Sequence, residues 1–153
     1  MEDGKSRIEQ LILQKKIHSE RIKLKEKYRS LFNYHLVDDQ LINYEESREI
    51  KKRAYERIFK EDNILCGTYQ EVLEVSEEIY KRVRDVSDQP VILFYLDGKY
   101  GGGVRIRIND VFDCIISKLS DLKVDLLFVS PDLNKGFCIE VEEYNFLITT
   151  WGF

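Results

Sequence analysis

Residues Val124 to Trp151 read VDLLFVSPDLNKGFCIEVEEYNFLITTW. Three runs rich in β-branched and aromatic residues, Val124–Ser130, Gly136–Glu142 and about Asn145–Trp151, are separated by the turn signals Pro131-Asp132-Leu133-Asn134-Lys135 and Glu143-Tyr144. Connections this short join neighbouring strands antiparallel, because a parallel return needs a dozen or more residues. The stretch therefore predicts a three-stranded meander.

Upstream of it, Asn109 is placed to cap a helix running to about Ser120, with Val111, Cys114, Ile115 and Leu119 as its apolar stripe. Before that, Val91–Leu96 is a continuous apolar run of the kind a central strand shows when both faces are covered. Asp97-Gly98 predicts a hairpin turn that returns through Gly101-Gly102-Gly103 into the alternating strand Val104–Ile108. Between Gly67 and Ser87, Thr68 and Glu71 have capping-box spacing ahead of Val72, Val75, Ile79, Val83 and Val86, and Asp88-Gln89-Pro90 stops that helix. Ile50, Ala54 and Ile58 predict a helix from about Tyr44 to Lys60. Leu13, Ile17, Leu24, Tyr28 and Leu31 mark one stripe of a long helix from about Ser6 to Phe32.

The class is α+β: N-terminal helices followed by a mainly antiparallel sheet of about five strands with one inserted helix. One domain spans residues 1–153, with residues 1–33 a basic amphipathic helix set partly apart from the rest.

The chain's 153 residues are 43% hydrophobic and include only two prolines, enough apolar material for a core. Its net charge of -4 argues against general nucleic-acid binding. The charge is uneven: residues 1–60 hold 15 basic and 11 acidic side chains, a net of +4, and residues 61–153 hold 9 and 17, a net of -8. No apolar run approaches the roughly 20 residues of a membrane span. The N-terminus lacks a secretory pattern, so the expected location is cytoplasmic. Cys66, Cys114 and Cys138 are odd in number, widely spaced and set among apolar neighbours. They read as buried free thiols, with no disulfide framework, structural zinc site or cofactor implied.

Several residues invite chemistry. Gly101-Gly102-Gly103 with Arg105 and Arg107 suits an anion, yet matches no phosphate-loop or dinucleotide fingerprint, and a bulged hairpin arm explains it more simply. Asp132, Glu140 and Glu142 resemble the Pro-Asp…Glu-x-Lys arrangement of restriction-endonuclease-like nucleases. Glu142, however, stands where that chemistry wants a lysine. The bland alternative puts Glu140 and Glu142 on the solvent face of a strand. His18 and His35 are distant in sequence from any nucleophile elbow, so no catalytic residues are assigned.

From Lys5 to Arg29 there are nine Lys/Arg and three Glu. Lys15, Lys16, Arg21, Lys23 and Lys27 are the candidate nucleic-acid contacts, although stacking aromatics are absent until Tyr28 and a solvated helix face is the simpler reading. The same helix could instead carry an oligomer contact through Ile17 and Leu24. The C-terminal third offers the opposite surface: Asp121, Asp125, Asp132, Glu140, Glu142 and Glu143 with Tyr144, Phe146, Trp151 and Phe153 nearby. Acids among aromatics suit an interface for a basic protein, with Asp132, Glu140, Glu142, Glu143, Tyr144 and Trp151 as its candidate residues.

The stretch from Asp125 to Trp151, in its order and texture, resembles the closing meander of small immunity proteins encoded beside secreted polymorphic toxins in Gram-positive bacteria. The resemblance implies a cytoplasmic α+β protein that binds and blocks a cognate toxin, often a nuclease, with no catalysis of its own; the lack of a long apolar run separately predicts no membrane partner. The alternative from another class is a nucleic-acid-binding module or metal-dependent nuclease using the basic helix.

Overall fold

In order along the chain, the elements of the computed structural model are α1 (Arg7–Phe32), a 3-10 turn (Asp38–Gln40), α2 (Tyr44–Ile58), β1 (Asn63–Cys66), α3 (Tyr69–Arg84), β2 (Val91–Phe94), β3 (Val104–Ile106), α4 (Ile108–Ser117), β4 (Leu126–Val129), β5 (Gly136–Val141) and β6 (Phe146–Trp151). The structure describes residues 6–84, 89–118 and 123–153. The expected helix positions Val86 and Leu119, the stop at Asp88 and the acidic residue Asp121 lie outside the described residues. The class is α+β, and the sheet has six strands in the order β1-β6-β5-β4-β2-β3, every pair antiparallel. Among the described residues no helix is long and apolar enough to cross a membrane.

Alternation along each strand divides the core in two. Val91, Leu93, Leu126, Phe128, Phe137, Ile139 and Ile148 face α1, α3 and α4, where Tyr28, Phe32, Ile79, Phe112 and Ile115 meet them. Ile92, Phe94, Leu127, Val129, Cys138 and Trp151 face the opposite way, against Ala54 and Ile58 of α2. Burial on both sides is why β2 and β4 are continuous apolar runs. Each large side chain so buried contributes about 1.5–3 kcal/mol.

The helix ends follow local capping chemistry. Ser6 Oγ accepts from the Glu9 N–H and begins α1, and Asn33 closes it in the left-handed region at φ 51. Asn43 accepts from the Glu45 and Glu46 N–H groups to begin α2. At α3, Thr68 Oγ1 accepts from the Glu71 N–H, while the Glu71 carboxylate reaches back to the Gly67 N–H at 2.8 Å.

Four expectations need correction. A sixth strand exists: β1, between α2 and α3, pairs with β6, and its four residues are too short to announce themselves. The α1 stripe runs through Leu24, Tyr28 and Phe32, leaving Leu31 exposed, because steps of four keep one face. Leu24 is therefore core and unavailable for an oligomer contact. Asp97-Gly98 is no two-residue hairpin: Leu96 already turns at φ 62, and the Gly101 N–H closes on the Asp97 carbonyl at 2.8 Å. Asn109 lies inside α4, not at its cap; Arg107 holds that position, and Asn109 Oδ1 accepts from the Tyr80 hydroxyl.

The triple glycine is filled. A Cβ on Gly102, at φ 77, would lie 2.8 Å from Ser47 Oγ, and one on Gly103 would lie 2.9 Å from Ile92. Ser47 Oγ accepts from the Gly103 N–H, and the Ile42 N–H donates to the Gly103 carbonyl, each at 3.0 Å. The glycines seat the start of α2 against the sheet, and the space imagined for an anion holds a serine.

Candidate partner interface

Leu126 pairs with Ile139, so Asp125, one step before β4, falls beside Glu140 of β5. Both lie on the α2 side of the sheet, past the apolar patch that α2 covers. Tyr55 of α2 reaches over that patch and its hydroxyl donates to Asp125 Oδ2 at 3.1 Å, while Asp125 Oδ1 accepts from the Val141 N–H at 2.9 Å. Asp125 thereby ties the helix to the ends of the interior strands β4 and β5 and fixes its own carboxylate next to Glu140.

Burial pushes the Glu140 carboxyl above its ordinary value, and the charges of Asp125 and Glu142 add to the shift. Burial also raises the Tyr55 hydroxyl and the Cys138 thiol beside it, with neighbouring acids adding to both shifts. Cys138 is thus a buried, protonated thiol, poorly suited to nucleophilic attack. Among the described residues, none of Asp125, Glu140, Glu142 and Glu143 forms an ion pair. Asp125, Glu140 and Glu142 lie close together here without an ion-pair partner among the described residues, which favours a positive group from outside. Among the described residues no three His, Cys, Asp or Glu side chains are grouped so as to hold a metal ion.

Glu142 and Glu143 continue this surface into the β5–β6 turn, where Tyr144 is 84% exposed. The other two candidates stand elsewhere. Asp132 sits in the β4–β5 turn, at the opposite end of β5 from Glu140, and accepts from the Ser130 hydroxyl at 2.6 Å and the Asn134 N–H at 3.0 Å. Those bonds hold its carboxyl below the usual range. Asp132 shapes a turn and shares no site with Glu140 and Glu142, so the nuclease-like spacing does not converge in space. Trp151 is only 4% exposed; its indole N–H donates to the Leu133 carbonyl at 3.0 Å, and a Cβ on Gly136 would lie 2.2 Å from its ring. It is a core residue, not a contact for a partner.

The basic helix is partly spent on the protein itself. Arg21 donates to the Ile42 carbonyl at 2.8 Å, Lys16 lies 5.7 Å from the Tyr100 ring centroid, and Lys25 is ion-paired with Asp38. Lys15, Lys23 and Lys27 remain exposed. Tyr55 escaped sequence reading because it stands 70 positions from Asp125, and only the register that brings α2 over β4 and β5 joins them.

Fold and site together define an α+β protein with an antiparallel six-stranded sheet, one end of which carries clustered carboxylates that form no ion pair among the described residues. A family model described as YxiF protein matches residues 13–151. The chain belongs to the YxiF family. No curated protein and no solved structure matches it.

Proposed function

We propose that this chain is a non-enzymatic, cytoplasmic immunity protein that binds a cognate secreted toxin, a nuclease, and neutralises it through its acidic surface. The observation that carries the reading is the clustering of Asp125, Glu140 and Glu142, none of them ion-paired among the described residues, beside the exposed Tyr144. A nuclease must present basic groups to the phosphates it cleaves, and such groups complement this surface. The resemblance of the closing meander to immunity proteins supports the same reading.

The test begins with capture of the partner from the native cell, followed by measurement of its association rate. Glu140→Lys with Glu142→Lys should slow association at low salt by tenfold or more, on the order seen when steering charges are reversed, with less difference at high salt. An unchanged on-rate would move the interface away from this end of the sheet.

A further inference from the structure

The two edges of the sheet are treated differently. At the β3 edge, Leu41 forms a bridge with Val104, so the chain covers its own strand. Among the described residues no strand lies outside β1, which pairs on one side only, with β6. Natural edges are commonly blunted by charges or proline within the strand. β1 reads Asn63-Ile64-Leu65-Cys66 and has neither. Ile64 is 45% exposed, Leu65 62%, and Phe59, in the turn leading to the strand, 90%.

We propose that β1 is a docking edge that takes up an extended segment of a basic protein as a seventh strand. The exposed edge supplies backbone donors and acceptors in a fixed row, and Leu65 and Ile64 offer apolar contact on the two faces. Charge selects the occupant. At the Cys66 end, Gly67 and Thr68 share a surface hollow with Glu142 and Glu143, where Lys123 is the only cation among the lining residues. A strand with lysine or arginine beyond that end meets these carboxylates. A second copy of this chain brings the same acidic half, net -8 over residues 61–153, and is disfavoured there. The inference rests on the proposed toxin-binding role and specifies its mode: the toxin contributes a strand, and its basic groups lie over the acidic end.

The test uses the whole protein and a synthetic probe, the peptide Lys-Lys-Thr-Val-Thr-Val-Thr-Lys-Lys, with a control in which every lysine is glutamate. Backbone amide exchange is followed residue by residue at low salt. The lysine peptide should slow exchange within residues 63–66, the glutamate peptide should not, and the protection should fall as salt is raised. In an antiparallel pair, adjacent residues point their backbone groups to opposite sides, so one of Ile64→Pro and Leu65→Pro removes an outward donor. The variant that keeps the wild-type melting temperature should lose the peptide. Leu65→Lys, an exposed change that retains the fold, should weaken it as well.

Unchanged exchange at 63–66 under saturating lysine peptide overturns the inference. So does equal protection by both peptides, or protection that grows with protein concentration alone, which marks a second copy. The two readings separate cleanly. A chain that rescues cells from a toxin without gaining protection at 63–66 in that complex loses only the strand-edge inference. A chain that takes up the peptide but rescues no cell loses the immunity role.

Discussion

Glu140 shows how a half-buried carboxylate among other acids weighs on stability. Its carboxyl is raised by burial and by two neighbouring acids, so the folded state holds its proton to higher pH than the unfolded chain does. The penalty for its charge is absent below the ordinary glutamate range and fully present above the raised value. Glu140→Gln should therefore raise the melting temperature at neutral pH, and the gain should vanish in acid below the ordinary glutamate pKa; thermal melts across that range check the sign. Gly136 and Trp151 make the opposite case, a contact that serves packing alone. With a Cβ only 2.2 Å from the indole, Gly136→Ala should destabilise by about 1–3 kcal/mol, as overpacking does, readable in urea melts. Trp151 could not be assigned from sequence because an aromatic at a strand end serves a core or an interface equally well. Only the seat on Gly136 and the bond to Leu133 decide it.

Among the elements, the closing meander was legible because turn signals and apolar alternation are local. β4, β5 and β6 fall within the expected runs Val124–Ser130, Gly136–Glu142 and Asn145–Trp151. β1 was not legible, since four residues carry no period and their partners lie 80 to 86 positions away in β6. The glycine triplet was legible as a hairpin arm, but its reason, the seating of Ser47, depends on α2 folding back from elsewhere in the chain. α1 divides along its length: Leu24, Tyr28 and Phe32 are buried, whereas Ile8, Leu11 and Ile12 are exposed. Leu24→Ala should cost about 2–5 kcal/mol, and Ile12→Ala should stay within about 0.5 kcal/mol, as denaturant titrations of the two variants would show.

For the molecule as a whole, the charge divide visible in the sequence takes on a spatial meaning. The basic half places Arg21 and Lys25 in contacts with its own domain, while the acidic half gathers Asp125, Glu140 and Glu142 at one end of the sheet, with no ion pair to any of them among the described residues. That arrangement favours a basic partner over a nucleic acid. The Tyr55–Asp125 bond holds that carboxylate in place in the chain alone, so under the proposed role a basic partner would relieve a repulsion already built in. The most direct measurement is growth of cells expressing the captured toxin together with either this protein or its Glu140→Lys, Glu142→Lys variant, after melting curves confirm that the variant is folded. Wild type should restore growth and the variant should not. Failure of wild type to protect, or equal protection by both, would contradict neutralisation through this acidic surface.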